Sequence, residues 1–281
     1  MTIIEASKYI RHKLKDLYPL QEIDAFTGII FNHVINYKRL DIHLNAQTSI
    51  LPDHQLQIYD IIHQLESYRP IQYILGTTEF YGLNFMVNKS VLIPRPETEE
   101  LVDWIINDYK GLSPKIIDIG TGSGCIPVSL AKNLPGSLIT GVDISLEALE
   151  VAKENALLND VQVKFLPLDI LGNHFPEFSL FNVIVSNPPY VTVHQKDRMN
   201  SNVLDFEPHL ALFVPEIDPL IFYKAIALFA NKYLLENGNL YFEINEELFQ
   251  ETSDAIKELG FTTELRKDIH GRYRMLKAKR I

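Results

Sequence analysis

The chain has 281 residues, of which 46% are apolar, so it can bury the core of one large domain or two smaller ones. Its formal net charge of −10 disfavours nucleic acid as a direct partner, because nucleic-acid-binding domains are usually basic. Cys125 is the single cysteine, which excludes an internal disulfide, and no run of about 18 apolar residues predicts a membrane span, so we expect a cytoplasmic protein that does not bind membranes.

Residues 1–70 are predicted to form a small helical domain. Apolar residues recur at helical spacing in two stretches, and Pro52 suits the first turn of the second. These residues are Phe26, Ile29, Ile30, Val34 and Tyr37 in the first stretch, and Leu56, Tyr59, Ile62 and Leu65 in the second. We interpret both stripes as the core of a helical bundle. Charges at Glu5 and Lys8 interrupt the N-terminal apolar run, so no signal peptide is predicted.

Residues 71–95 are predicted to form a β-hairpin linker. The segment IQYILGTTEFYGLNFMV is rich in β-branched and aromatic residues, and Gly76 and Gly82 interrupt it. The segment IPRPETEELVDWII follows and places prolines before a helix that begins with acidic residues, which suits the positive end of a helix dipole.

From Lys115 onward, strand and helix patterns alternate. The predicted strands are KIIDIG, SLITGVDI, VQVKFLPLDI, LFNVIVSN and NLYFEI, and the predicted helices are CIPVSLAKNL, SLEALEVAKENALLN, PLIFYKAIALFANKYL and ELFQETSDAIKELG. A hairpin-like run ends the chain. Alternating strands and helices form right-handed βαβ units, so we predict an α/β fold with a Rossmann-like, doubly wound parallel sheet over residues 96–281.

The first of these strands ends in the glycine-rich segment DIGTGSGC. Glycines at 120, 122 and 124 let a ligand approach the backbone closely, and three in five residues exceed what a tight turn needs. The dinucleotide fingerprint G-x-G-x-x-G requires a further glycine at position 125, which is occupied by Cys125, so an NAD site is disfavoured. We interpret Cys125 as a small packing residue, since no base or second cysteine accompanies it.

Two carboxylates end the next two strands. Asp143 follows the glycine loop at the distance expected of a residue that accepts hydrogen bonds from ribose hydroxyls, although it can also cap the next helix. Asp169 and Ile170, in the segment LDIL, fall where an adenine ring would lie, and here a structural role is equally compatible with the sequence.

The fourth strand ends in VIVSNPPYV. Proline cannot donate to a sheet ladder, so the strand must stop here, either in a plain turn or at a ligand site. Asn187 stands at the carboxyl end of its strand, as Asp143 does, and open α/β sheets bind ligands at that edge.

At this point the chain resembles class I S-adenosylmethionine-dependent methyltransferases. Asn-Pro-Pro-aromatic is the motif of members that methylate planar amino groups. Together with RPIQYILGTTEFYG, LIPRPETEELV, DFEPHLALF and KDIHGRYRML, in this order, it is similar to the release factor glutamine methyltransferase family over nearly the whole chain. The resemblance implies methylation of the glutamine in the Gly-Gly-Gln motif of peptide chain release factors, with the helical domain recognising this protein substrate and with no nucleic acid required. We expect a monomer.

The resemblance also implies the site residues. S-adenosylmethionine would be bound by Gly120, Thr121, Gly122, Ser123, Gly124, Asp143, Asp169, Ile170 and Asn187. The amide oxygen of Asn187 and the main-chain carbonyl of Pro188 would each accept one N–H of the substrate amide, Pro189 would fix the backbone, and Tyr190 would stack on the amide. Asn187, Pro188 and Tyr190 are thus the predicted catalytic residues, with Pro189 added for substrate binding. The nine histidines show no metal-ligand spacing, so no metal is expected.

Three alternatives stay open at this level. The motif and cofactor are shared by nucleic-acid exocyclic-amine methyltransferases and by a glutamine methyltransferase of a ribosomal protein, and a cofactor-binding protein without activity is the third. Residues 94–99 favour the release-factor family over the ribosomal one.

Several charged residues have no settled role. Two interpretations are open for Arg95, Glu97 and Glu99: they order the linker beside the cofactor, or they form surface ion pairs. Glu207 either closes over the substrate or lies in a loop without such a role. The C-terminal run is locally basic and faces RNA or solvent; its basic residues are Arg266, Lys267, Arg272, Arg274, Lys277, Lys279 and Arg280.

Overall fold

The computed structural model describes residues 1–172, 174–196, 199 and 201–281. The chain divides into two compact units, one of Met1–Gly76 with Ser201–Phe206, the other of Thr77–Asn200 with Glu207–Ile281. None of the helices in the described part of the chain could span a lipid bilayer.

The N-terminal unit is helical, as predicted. Its helices are α1 (Ile3–Leu14), α2 (Leu20–Ile35), α3 (Arg39–Leu44), α4 (Pro52–Glu66), α5 (Ile71–Leu75) and, from the later segment, α10 (Ser201–Phe206). The Thr2 side chain caps α1 in a capping box with Glu5, and Pro52 occupies the first turn of α4. A buried cluster that includes Ile10, Phe31 and Leu65 forms the core.

Two predictions for this unit were wrong in detail. Residues 71–75 form α5, not a strand, because Ile71 packs into the helical core and Gly76 ends the helix with a φ of 73°. Some residues that were predicted to lie in the core are also exposed: Ile29 is 41% exposed and Leu56 is 65% exposed. Short apolar runs do not distinguish strand from helix, and apolar residues also cover much of a protein surface.

The second unit begins with a small antiparallel hairpin of β1 (Thr77–Phe80) and β2 (Leu83–Met86). A seven-stranded sheet follows, in the order β5-β4-β3-β6-β7-β9-β8. Its strands are β3 (Lys115–Ile119), β4 (Leu138–Asp143), β5 (Lys164–Pro167), β6 (Phe181–Ser186), β7 (Leu234–Glu243), β8 (Phe261–Lys267) and β9 (Tyr273–Arg280). The strands from β3 to β7 are parallel to their neighbours, and β9 pairs antiparallel with both β7 and β8.

Helices cover both faces of the sheet. The helices of this unit are α6 (Pro96–Asp108), α7 (Cys125–Asn133), α8 (Leu146–Leu158), α9 (Val193–Lys196), α11 (Ile221–Tyr233) and α12 (Phe249–Glu258), with a 3-10 turn at His209–Ala211. One buried cluster packs α11 and α12 on the sheet, and the other packs α6 and α7 on the opposite face. The predicted Rossmann-like doubly wound sheet is confirmed.

The strand order reverses between β3 and β6. The crossovers β3–β4–β5 run to one side of the sheet, and β6–β7 to the other. In open α/β sheets such a switch point opens a crevice at the carboxyl ends of the strands, where ligands bind.

Candidate active site

A cavity of about 450 Å³ lies at this switch point. The carboxyl ends of β3, β4 and β6 contribute Gly120, Asp143 and Asn187 to its wall. The cavity is also lined by residues 90–92 and by Pro208, Leu210 and Ala211. The cavity thus brings together the glycine loop, the strand-end carboxylates and the Asn-Pro-Pro segment.

The glycine loop has a left-handed backbone at each glycine. Gly120, Gly122 and Gly124 have φ values of 74°, 53° and 78°. A Cβ at Gly120 or Gly122 would meet no atom within 4 Å, whereas one at Gly124 would lie 3.0 Å from the Ala152 Cβ of α8. Gly120 and Gly122 therefore keep the cavity wall open, while Gly124 lets α8 approach the loop. The side chains of Thr121 and Ser123 are buried and do not line the cavity.

Asp143 connects the loop to the end of β4. Its Oδ2 accepts the Gly122 N–H at 2.8 Å, and its Oδ1 accepts the Ser145 N–H at 3.0 Å. Burial raises the pKa of this carboxyl, and the backbone N–H groups oppose the rise. A carboxylate offers about four lone-pair sites, so acceptor capacity is left toward the cavity.

Asp169 and Ile170 also line the cavity. The Asp169 Oδ1 accepts the Leu171 N–H at 2.9 Å, which folds the loop after β5 back on itself. Ile170 is half-buried and packs against the core cluster that includes Ile119 and Ile226. Asp169 and Ile170 thus place a carboxylate and an apolar side chain on the cavity wall, and their role as an adenine subsite stays a prediction.

The Asn-Pro-Pro-Tyr segment is held at both ends by buried polar groups. The Ser186 hydroxyl donates to the Ile119 carbonyl at 2.6 Å, and the Asn245 side chain donates to the Tyr190 carbonyl at 2.9 Å. Val191 then pairs with Leu212 and Val214 through backbone hydrogen bonds. Pro188 and Pro189 line the cavity between these fixed points.

Tyr190 lies differently from the prediction that it stacks on a substrate. Its hydroxyl donates to Glu243 Oε1 at 3.0 Å, and its ring packs against the sheet core and is not part of the cavity wall. Burial and the nearby Glu243 raise the pKa of this phenol well above its ordinary value.

Sequence reasoning missed Thr98 and Glu243. Thr98, in the first turn of α6, donates to Glu243 Oε2 at 2.5 Å and accepts from Asn187 Nδ2 at 3.2 Å. Burial raises the pKa of Glu243, whereas the hydrogen bonds from Thr98 and Tyr190 lower it. The signal was present, because Glu243 ends β7 at the same sheet edge as Asp143 and Asn187.

Arg95 and Glu99, two of the charged residues near the linker, have partners in the structure. Arg95 Nη2 lies 2.7 Å from Glu207 Oε1, and the Glu207 side chain is 1% exposed. Glu99 accepts the Tyr81 N–H at 2.9 Å and so ties the hairpin to α6. The Arg95–Glu207 pair links two chain segments that line the cavity, since Arg95 follows residues 90–92 and Glu207 precedes Pro208.

Three residues of the basic C-terminal run contact acidic side chains. Arg272 and Arg274 both pair with Glu246, and Lys277 lies 2.5 Å from Asp108.

Cys125 is buried in the core that packs α6 and α7, as a packing residue would be. Within the part of the chain that the structure describes, no group of three or more His, Cys, Asp or Glu residues has metal-binding geometry.

Comparison with known proteins decides the family. Residues 98–205 match the family model of the methyltransferase small domain, and residues 5–76 match that of the PrmC N-terminal domain. A release factor glutamine methyltransferase of Flavobacterium psychrophilum is 46% identical over 269 residues, covering 94% of each chain. Another, of Bacteroides thetaiotaomicron, is 44% identical over 274 residues, covering 97% of this chain and 98% of its own. The chain belongs to the release factor glutamine methyltransferase family.

Solved structures agree with this family at the level of the fold. The ribosomal protein L11 methylase of Lactobacillus delbrueckii subsp. bulgaricus aligns with a TM-score of 0.52 and 18% identity, covering 73% of this chain and 98% of its own. A methyltransferase of Pyrococcus furiosus aligns with a TM-score of 0.52 and 17% identity, covering 82% and 100%. At this level of identity, the two structures support the fold alone. The predicted resemblance to the release factor glutamine methyltransferase family is confirmed by the relatives that match nearly the whole chain.

Proposed function

We propose that this methyltransferase transfers a methyl group from S-adenosylmethionine to the side-chain amide nitrogen of the glutamine in the Gly-Gly-Gln motif of peptide chain release factors. The observation that carries the proposal is the cavity in which Asn187 and Pro188 lie beside the glycine loop and Asp143. The names of relatives that match nearly the whole chain support the choice of substrate.

The cavity residues fit S-adenosylmethionine. The open backbone at Gly120 and Gly122 accommodates the methionine part, Asp143 has acceptor capacity for ribose hydroxyls, and Asp169 with Ile170 suits the adenine. When bound, S-adenosylmethionine would supply an electrophilic methyl group on a sulfonium and would leave as a neutral thioether, and the methylated amide nitrogen would then lose one proton to solvent. The other predicted loop residues, Thr121, Ser123 and Gly124, do not line the cavity. They would affect cofactor binding only through the conformation of the glycine loop.

The residues of this chain activate the acceptor nitrogen by positioning. The lone pair of a glutamine amide is delocalised into its carbonyl, so the nitrogen is a poor nucleophile. Asn187 Oδ1 and the Pro188 carbonyl accept its two N–H groups, which orients the nitrogen and favours a pyramidal geometry. Pro189 restricts the backbone, and Tyr190 holds the segment through its hydrogen bond to Glu243.

The N-terminal unit is proposed to recognise the release factor. Within this unit, α3 has no buried residue, and Leu40 and Leu44 are 69% and 74% exposed. Exposed leucines on a surface helix suit a protein partner more than a phosphate backbone. The net charge of −10 agrees with a protein substrate.

The test measures label transfer from methyl-labelled S-adenosylmethionine to purified release factor, to its glutamine-to-alanine variant, and to total RNA and DNA. We expect label in the wild-type release factor alone. Label in nucleic acid, with none in release factor, would reassign the chain to the exocyclic-amine methyltransferases.

A further inference from the structure

The Asn187 side chain is hydrogen-bonded to a residue in the first turn of α6. Its Nδ2 donates to Thr98 Oγ1 at 3.2 Å, and the Thr98 side chain is buried, with 2% of the residue exposed. Thr98 lies in the segment IPRPETEELV, which the proposed chemistry does not otherwise use.

The hydrogen-bond directions in this contact are fixed by the single proton of the Thr98 hydroxyl. That proton is donated to Glu243 Oε2 at 2.5 Å, in the range of about 2.5–2.7 Å typical of an O–H group that donates to a carboxylate. Thr98 Oγ1 can then only accept from Asn187. The amide of Asn187 must therefore turn its NH₂ group to Thr98, which leaves Oδ1 for a donor in the cavity.

Glu243 supplies the fixed end of this chain of hydrogen bonds. It is 1% exposed and ends β7, and its second oxygen accepts from the Tyr190 hydroxyl at 3.0 Å. Tyr223 donates to the main-chain carbonyl of Glu243 at 3.2 Å. The charge of Arg274 lowers the pKa of the Glu243 carboxyl, and the charge of Glu97 raises it. The hydroxyls of Thr98 and Tyr190 both donate to Glu243. This hydrogen-bond arrangement requires an ionised carboxylate at Glu243, which only accepts.

We propose that Thr98, oriented by Glu243, is a positioning residue that fixes the amide of Asn187 with Oδ1 toward the methyl-acceptor nitrogen. The inference rests on the proposed function, in which Oδ1 accepts an N–H of the substrate glutamine. A flipped amide would present NH₂ to the NH₂ of the substrate and would lose the contact. Thr98 itself does not touch the substrate.

The kinetic test compares Thr98→Val with Thr98→Ser and with Thr252→Val as the matched control. Thr252 is also a buried threonine, and its hydroxyl donates to the Leu248 carbonyl within one turn of its own helix. We expect kcat to fall on the order of 10²-fold in Thr98→Val, as for a misplaced reacting group, with unchanged cofactor affinity. Thr98→Ser should recover most of the wild-type kcat. Equal kcat values for Thr98→Val and Thr252→Val would overturn the proposal.

Glu243→Gln provides a second variant of nearly unchanged shape. The new NH₂ group would face one of the two hydroxyls that donate to Glu243, Thr98 or Tyr190. Facing Thr98, it would donate to that hydroxyl, whose proton would then turn toward Asn187 and favour the flipped amide. We expect a lower kcat with cofactor binding retained, and a normal kcat together with unshifted Asn187 Nδ2 resonances would contradict the role of Glu243.

The Asn187 amide gives a readout that needs no turnover. In ¹⁵N NMR spectra of the free enzyme, with the resonance assigned from Asn187→Ala, Thr98→Val should shift the Nδ2 protons and speed their exchange with water. Thr98→Ser should leave them near the wild-type position. Unchanged resonances in Thr98→Val would overturn the inference, whereas a shift without any methyl transfer by the wild type would reject only the proposed function.

Discussion

The Asp143 carboxylate accepts the Gly122 N–H at 2.8 Å, so one side chain both shapes the glycine loop and lines the cavity. Asp143→Ala should weaken S-adenosylmethionine binding about 10- to 150-fold, because a hydrogen bond to a charged group contributes roughly 1.5–3 kcal/mol. Calorimetric titration measures this affinity.

Asp254→Ala is the control for that substitution, since Asp254 lies on α12 and does not line the cavity. The control should bind the cofactor like the wild type. Equal affinities for Asp143→Ala and the wild type would remove Asp143 from the cofactor site.

Asn187→Ala should abolish most turnover while cofactor affinity stays near the wild-type value. The loss of one preorganised contact to the reacting group lowers kcat by about 10²–10³. Single-turnover methylation of release factor, with the cofactor pre-bound, isolates this step. Near-normal turnover would exclude Asn187 from the mechanism.

We expect Asp118 to make the stability of the second unit depend on pH. Burial raises the pKa of this carboxyl to about 7, the Asp143 charge adds to the rise, and the neighbouring Thr121 hydroxyl opposes it. The folded state thus binds the proton more tightly than the unfolded state, whose pKa is near 3.8. Stability from this group is therefore lost as pH rises from about 4 to about 7, by at most about 4 kcal/mol.

Asp118→Asn removes this titration. Urea unfolding at pH 5 and pH 8 should show the variant gaining stability relative to the wild type at the higher pH. Asp254→Asn, at an exposed position whose pKa is lowered, should show no such gain. A constant difference between Asp118→Asn and the wild type at both pH values would mean that Asp118 does not titrate in this range.

The leucines of α3 test the recognition role of the N-terminal unit. Leu40→Asp with Leu44→Asp should raise KM for release factor by about tenfold or more, since burying one leucine contributes about 1.5–3 kcal/mol. Cofactor affinity should not change. Leu157→Asp, at a 77% exposed position on α8, is the control. An unchanged KM for release factor in the double variant would place the docking surface elsewhere.

The alternation of strands and helices sufficed to predict the Rossmann-like sheet, because buried parallel strands give long apolar runs with glycine and acidic residues at their carboxyl ends. The same rule pointed to Gly120, Asp143 and Asn187, which share one cavity in the structure. These are local signals at strand ends.

Contacts across the sequence were not predictable in this way. Thr98 and Asn187 are 89 positions apart, and Arg95 and Glu207 are 112 apart, so no local pattern connects them. Helix α5 was misassigned because its residues favour strands locally, and its helical state depends on packing against the rest of the N-terminal unit.

The central claim is that Asn187 positions a glutamine amide nitrogen for methylation. Mass spectrometry of proteolysed release factor, after incubation with S-adenosylmethionine and either the wild-type enzyme or Asn187→Ala, tests it most directly. We predict one added methyl group on the side-chain nitrogen of the Gly-Gly-Gln glutamine with the wild type and almost none with the variant. A methyl group on another residue, or equal methylation by both enzymes, would contradict the account.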